Sequence, residues 1–230
     1  KLPGWALGEV SVQDFGAITL GRAFYSNIKQ YPRIDLNILD ACSAPGGKLY
    51  HLQELLEANK INGSVTALEV EKKRMSATKN IGERLQHDVA LIVADATSSS
   101  WWNGEQYSHI LVDAPCSSSG TIKRNPDVKI LLKESQLEKN SSLQLELLRN
   151  LWTMLRPGGT LFYCTCSMFS EENDSAIERF LSKNDQAVKK DFKLPEGEVT
   201  SLETKHGHQL MPFGLINDGF YVSTVFKPPN

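Results

Sequence analysis

Short apolar runs alternate with longer amphipathic stretches along most of the chain, and each run gives way to an acid or a cysteine motif. The runs Ile34 to Leu39, Val65 to Leu68, Val89 to Ala94, Ile110 to Val112 and Thr160 to Cys164 read as strands. They lead into Asp40, Glu69, Asp95, Asp113 and the motif Thr165-Cys166-Ser167. Between them, helical spacing marks Leu49 to Ala58, closed by the Asn62-Gly63 turn, and the charged stretch Glu71 to Leu85. It also marks the later half of the region that ends at Leu155, the segment Glu171 to Leu181, and a short helix around Phe15 to Asn27. Strands alternating with helices form βαβ units, so the pattern predicts an α/β fold with a mostly parallel, doubly wound sheet. Past Leu181 the helical period fades. Phe192 to Leu194, His208 to Met211 and Phe220 to Phe226 read as strands that supply an antiparallel edge.

A chain of 230 residues can bury one sizeable core. We expect a single domain over 1–230, with residues 1–33 packing on it as an N-terminal segment. The formal net charge of −2 gives no global attraction to nucleic acid, so any such partner must be argued from local clusters and site chemistry. No run approaches the roughly 20 apolar residues of a membrane span, and no signal-peptide pattern opens the chain, so the sequence reads as cytoplasmic. The cysteines at 42, 116, 164 and 166 lack Cys-x-x-Cys or Cys/His zinc spacing, so neither a disulfide framework nor a metal is expected. The chain starts at Lys1 rather than Met, which suggests part of a longer protein.

In open parallel sheets, ligands collect beyond the carboxyl ends of the strands. The turn Ala41-Cys42-Ser43-Ala44-Pro45-Gly46-Gly47-Lys48 follows the first strand and opens a helix, and its glycines suit close approach of backbone to a ligand. It lacks both the Gly-x-Gly-x-x-Gly spacing of dinucleotide binders and the Gly-Lys-Ser/Thr of a phosphate loop. Glu69, about twenty residues downstream, stands where an acid accepts hydrogen bonds from two ribose hydroxyls. S-adenosylmethionine fits this set, with its carboxylate at the turn, its ribose at Glu69 and its adenine amino group near Asp95. Two cysteines in compact motifs, Cys116 in Asp113-Ala114-Pro115-Cys116-Ser117 and Cys166 in Thr165-Cys166-Ser167, add a nucleophile to the same cleft. Their residue types alone leave open which of the two attacks. Isolated free cysteines are usually small buried hydrophobes, and Cys42 and Cys164 keep that structural reading.

These motifs, with Arg124-Asn125-Pro126-Asp127, Glu171-Glu172-Asn173, Val12-Gln13-Asp14 near the start and Asp218-Gly219-Phe220-Tyr221 near the end, resemble the RNA cytosine-5 methyltransferases of the Sun type. The resemblance spans nearly the whole chain, and it is strongest to the bacterial members acting on small-subunit (16S) ribosomal RNA. It implies a Rossmann-like class I S-adenosylmethionine-dependent methyltransferase fold. It also implies transfer of a methyl group to carbon 5 of cytosine through a covalent cysteine adduct at carbon 6.

By the same resemblance Cys166 is the nucleophile, Cys116 promotes release of the product, Asp113 bonds the polar edge of the cytosine and Lys48 orients the base. The implied cofactor set is Cys42, Ser43, Ala44, Pro45, Gly46, Gly47, Lys48, Glu69, Arg74, Asp95 and Asp113. The chain departs from the family pattern at Phe15-Gly16-Ala17, which follow Gln13-Asp14 where small polar residues are usual. It also departs at Ser43, where alanine is common, and at Glu69, which replaces aspartate. The expected partner is ribosomal RNA with a single-stranded or looped target, because a duplex hides the reactive carbon. A separate RNA-binding domain upstream of Lys1 is expected to supply affinity. The competing functions are a tRNA or DNA cytosine-5 methyltransferase, an amino-group methyltransferase using the Asp113-x-Pro115 loop, and a non-catalytic RNA-binding assembly factor. Lys72-Lys73 reads as a solvated helix face, Lys123-Arg124 as a contact for incoming phosphates, and Trp101-Trp102 as packing.

Overall fold

The computed structural model describes residues 2–30, 36–195, 199–213 and 217–229. A 3₁₀ turn at Trp5–Leu7 precedes α1 (Phe15–Lys29). Five units follow: β1 (Leu36–Asp40), α2 (Gly47–Ala58), β2 (Gly63–Glu69), α3 (Lys72–Leu85) and β3 (Ala90–Val93). The second half runs β4 (Tyr107–Asp113), α4 (Val128–Leu131), α5 (Glu134–Met154), β5 (Leu155–Thr165) and α6 (Asp174–Leu181). The chain closes with β6 (Val188–Lys189), β7 (Ser201–Glu203), β8 (His208–Leu210) and β9 (Phe220–Phe226).

The strands join one sheet in the order β3-β2-β1-β4-β5-β9-β8-β7, with β6 also paired to β9. Pairings from β3 through β5 are parallel, and those of β6 to β9 are antiparallel. Strand order reverses between β1 and β4, the position where open α/β sheets form a ligand crevice.

Central strands are apolar on both sides because helices cover both faces. On one face α1 lays Leu20, Phe24 and Ile28, and α2 lays Leu49, Leu52 and Leu56, against Ile38, Leu111 and Phe162 of the strands. On the other, Leu147, Leu148 and Leu151 of α5 and Ile177 and Phe180 of α6 meet Leu39, Ile110, Val112 and Tyr163. Each such fully buried side chain contributes about 1.5–3 kcal/mol relative to exposure. Residues of α1 therefore pack on the sheet.

The doubly wound, mostly parallel sheet with an antiparallel edge agrees with the sequence reading, and several boundaries differ for physical reasons. Of the first predicted strand, Ile34 lies outside the described residues and β1 begins at Leu36. β5 starts at Leu155 rather than after Pro157-Gly158-Gly159, because a register shift between Tyr107 and His109 lets that segment run along β4. The predicted helix from Glu171 is broken at Asn173, whose side chain bonds Thr165 Oγ1, Ser167 O and Gln209 Oε1 and pins the backbone outside helical geometry. Phe192 to Leu194 is not a strand. Phe192 packs its ring 5.6 Å from Phe162 and 5.0 Å from His208, and Val188–Lys189 makes the pairing with β9 instead. β7 escaped prediction because Ser201, Leu202 and Glu203 are all exposed and carry no alternation. Trp101 and Trp102 pack against the second core, as their pairing suggested.

Candidate active site

The ends of β1, β2, β4 and β5 converge on one cleft. β1 ends at Asp40, and the following turn reaches α2 through Gly46, whose φ of 102° suits glycine; a Cβ there would also meet the Tyr50 ring at 2.8 Å. α2 begins with no side chain capping its first amides. Ser43 is buried, its N–H and Oγ both donating to Leu68 O at 2.9 and 3.2 Å. These bonds link the turn to β2, which explains how a hydroxyl is tolerated there.

Glu69 is buried at the end of β2 and accepts from the Glu71 amide at 3.0 Å. Arg74, the first turn of α3, pairs with Glu69 at 3.3 Å and donates to Ala44 O at 3.0 Å, clamping β2 to the turn. Asp95 is exposed just past β3, and one of its oxygens accepts from the N–H and hydroxyl of Thr97, both at 2.8 Å. That oxygen caps a turn; the residue still lines a cavity with Cys42, Glu69, Val70, Arg74, Ala96 and Leu147. Ala96, Leu143 and Leu147 were not foreseen as walls, and α5 supplies the last two from far along the chain.

The same cleft continues into a second cavity walled by Ala44, Arg74, Asp113, Pro115, Cys116, Ser118 and Cys166. Here Lys48 Nζ lies 2.7 Å from Asp113 Oδ2 and 5.1 Å from the centre of the Phe220 ring. Burial opposes the charge on Lys48, but Asp113 outweighs it and holds the ammonium above its ordinary range. Asp40, left out of the predicted site, is also fully buried beside this pair, and its Oδ1 has no protein partner. Burial first, then Asp113, raises Asp40 to about 7. An orphaned carboxyl oxygen, open helix amides and the glycine turn fit a ligand carrying an amino group and a carboxylate.

Cys116 and Cys166 are both free, with their sulfurs 3.4 Å apart. Their states differ. The hydrogen bond from Cys116 holds Cys166 below the ordinary thiol range against the cost of burial, with Ser118 and Lys48 assisting. The bond to Cys166 and then burial push Cys116 well above it. Ser118, at a left-handed φ of 57°, places its Oγ 3.5 Å from the Cys166 sulfur. Cys42 and Cys164 are pushed up chiefly by burial, as expected of structural thiols; Cys164 sits 3.5 Å from Asp113 Oδ1.

The loop carrying Cys116 is fastened to Cys166 by backbone. Gly120 N–H donates to Cys166 O and Gly219 N–H to Gly120 O, both at 2.9 Å. A Cβ at Gly120 would stand 2.1 Å from Gly219 O. Gly120→Ala is therefore expected to cost about 1–3 kcal/mol or more in denaturant unfolding, as overpacking against backbone does. Arg124 pairs with Asp218, and Lys123 donates to Asn217 O at 3.4 Å, so the presumed phosphate cluster is tied to the segment before β9. Asp14 caps α1 through the amides of Gly16 and Ala17 and also accepts from Asp218 N at 2.9 Å. The Gln13-Asp14 motif thus anchors the same segment, and Gly16 is required because a Cβ would meet the Phe220 ring at 2.8 Å.

Among the described residues, no cluster of His, Cys, Asp or Glu could hold a metal ion, and no helix is long and apolar enough to cross a membrane.

A sequence model of the family described as 16S rRNA methyltransferase RsmB/F matches residues 29–226. Ribosomal RNA small subunit methyltransferase B of Pseudomonas putida is 39% identical over 227 residues, covering 98% of this chain and 49% of the relative. The probable ribosomal RNA small subunit methyltransferase B of Coxiella burnetii is 35% identical, covering 100% of this chain and 51% of the relative. Among solved structures, PH0851 superposes with a TM-score of 0.85 at 30% identity, over 98% of this chain and 49% of that one. NSun6 from Pyrococcus horikoshii with SFG superposes at 0.82 and 24% identity, over 100% of this chain and 56% of that one. The chain spans about half the length of the curated relatives it matches. Its sheet is that of the class I S-adenosylmethionine-dependent methyltransferases. With a family match across most of its length and relatives above one-third identity, the chain belongs to the 16S rRNA methyltransferase RsmB/F family.

Proposed function

We propose that this chain is the catalytic part of an enzyme that methylates carbon 5 of a cytosine in RNA, with small-subunit ribosomal RNA as substrate. The observation that carries this reading is the pair of unbonded sulfurs at 3.4 Å, one held toward thiolate and the other toward thiol, on the wall of a cavity shared with Asp113. An amino-group methyltransferase has no use for such a pair.

S-adenosylmethionine, when bound, supplies an electrophilic methyl group on a sulfonium. The residues that would hold it are Asp40 at its amino group, the Gly46-Gly47 turn at its carboxylate, Glu69 at its ribose, and Asp95, Ala96 and Leu147 around its adenine. Arg74 braces Glu69 and the turn. Carbon 5 of cytosine is a weak nucleophile, so Cys166 Sγ adds to carbon 6 and makes carbon 5 enamine-like. The Asp113 carboxylate accepts from the exocyclic amino group of the base, with Lys48 fixing its orientation. Once carbon 5 is methylated, its proton leaves to water, the electron pair restores the carbon 5 to carbon 6 double bond, and the bond from carbon 6 to Sγ breaks. Cys116 S–H then donates to the departing Cys166 thiolate and eases its release.

A target must be single-stranded, looped or flipped to reach this cavity. With a net charge of −2, the domain gains little from phosphate contacts, and a preceding RNA-binding domain supplies affinity in the cytoplasm. Incubation with tritiated S-adenosylmethionine and small-subunit ribosomal RNA, followed by digestion to nucleosides, tests the reading. Label in 5-methylcytidine is expected; label confined to any other nucleoside, or to tRNA or DNA, would reject it.

A further inference from the structure

Glu172 is fully buried in the 3₁₀ turn Ser170–Glu172. A buried carboxylate is costly unless its oxygens are well bonded. Here it accepts from Ser117 N at 2.8 Å, Ser117 Oγ at 2.6 Å and Asn140 Nδ2 at 2.8 Å. All three donors are neutral, and two belong to the residue that follows Cys116. Asn140 is itself steadied by Gln136, whose Nε2 donates to its Oδ1 at 2.8 Å, and the Glu172 carbonyl accepts from Tyr163 Oη at 2.6 Å. Glu172 thereby joins the loop after β4, the segment after β5 and the first turns of α5 at one point.

We propose that Glu172 is a positioning residue for Cys116: through Ser117 it sets that sulfur against Cys166, and its charge helps to keep the proton on Cys116. A negative group close to Cys116 disfavours a second negative charge there. The groups that face Cys116 are Tyr163 of β5, Cys166 just past its end, the Ser118 amide from its own loop, and Glu172. The hydrogen bond with Cys166 and burial are the larger influences, and Glu172 adds to both. Across the pair, Cys166 faces Asp113 and Lys48, whose charges oppose one another. Glu172 therefore adds to an asymmetry between two adjacent thiols that their hydrogen bond and burial lead.

The catalytic consequence rests on the reading of Cys116 as the release residue; the effect on the thiols does not. Alkylation of the full chain by iodoacetamide across pH, quantified separately at Cys116 and Cys166 by peptide mass spectrometry, measures the thiols without RNA. In Glu172→Gln, with cofactor binding retained, the half-point for Cys116 is expected to fall by about one pH unit, narrowing the preference for Cys166 about tenfold. Glu172→Asp should keep the wild-type profile. An unchanged Cys116 profile in Glu172→Gln overturns the inference. If Glu172→Gln loses cofactor binding, Ser117→Ala decides instead: accumulation of a covalent RNA complex with normal cofactor binding supports the positioning role, and wild-type release rejects it. A Cys116→Ala enzyme that forms no lasting RNA complex would reject the release reading alone, leaving the Glu172 alkylation result to stand or fall separately.

Discussion

Cys166→Ala is expected to abolish both methyl transfer and covalent complex formation, lowering tritium incorporation into RNA by at least about three orders of magnitude, as loss of a covalent nucleophile does. The size of the effect follows from the lack of a substitute. Cys116 is only 3.4 Å away, and although the variant removes its bond to Cys166, burial and the Glu172 carboxylate still favour the thiol, which is a poor nucleophile. Cys164 is fully buried in the sheet, and Ser118 presents a hydroxyl with no base bonded to it in the described contacts. Cofactor binding should stay within a few-fold of wild type, because Glu69, Arg74 and the Gly46 turn are untouched. In the wild-type enzyme the rate is expected to rise with pH and to level off below the ordinary thiol value of about 8.5, since a lowered value means the thiolate is populated earlier. A plateau displaced above that value would show that the hydrogen bond from Cys116 does not operate in the working enzyme.

Cys116→Ala is expected to behave oppositely: one methyl group per enzyme is transferred, turnover falls by about a hundredfold or more, and a denaturation-resistant complex with RNA accumulates. The S–H of Cys116 is the donor closest to the sulfur that must leave, so its loss raises the barrier to elimination while addition still proceeds. The same substitution removes the largest influence favouring the Cys166 thiolate. Addition should therefore slow modestly at neutral pH and recover as pH rises. Gel retention of labelled RNA after denaturation measures the complex, and a burst followed by arrest in tritium incorporation measures the imbalance between the steps. Steady turnover with no retained RNA would assign release to another group.

The mostly parallel, doubly wound sheet and the strand ends that meet at the crevice were legible because the strands alternate with amphipathic helices and end in acids: Asp40, Glu69 and Asp113 all close strands there. The motif residues Cys116, Cys166, Lys48 and Asp113 come together at the strand ends, where the family resemblance placed them. Three things were not legible. Leu143 and Leu147 line the cofactor cavity from α5, and helical periodicity gives a face but not what lies across from it. Arg124 and Lys123 also hold Asp218 and Asn217, which the chain returns beside them nearly a hundred residues later. Glu172 belongs to the Glu171-Glu172-Asn173 motif, but its tie to the Cys116 loop shows only in its burial against Ser117 and Asn140. Asp40 was visible as a strand end but was not assigned, because a buried carboxyl with an unpaired oxygen is a property of the packed site.

The central claim is that Cys166, and not its neighbour, bonds to carbon 6 of a cytosine. The most direct measurement is peptide mass spectrometry of the complex trapped with Cys116→Ala, S-adenosylmethionine and small-subunit ribosomal RNA after protease and nuclease digestion. The account predicts a methylated cytidine nucleotide on the peptide containing Thr165-Cys166-Ser167. A nucleotide on any other residue, or a trapped complex that persists in the Cys116→Ala, Cys166→Ala double variant, would contradict it.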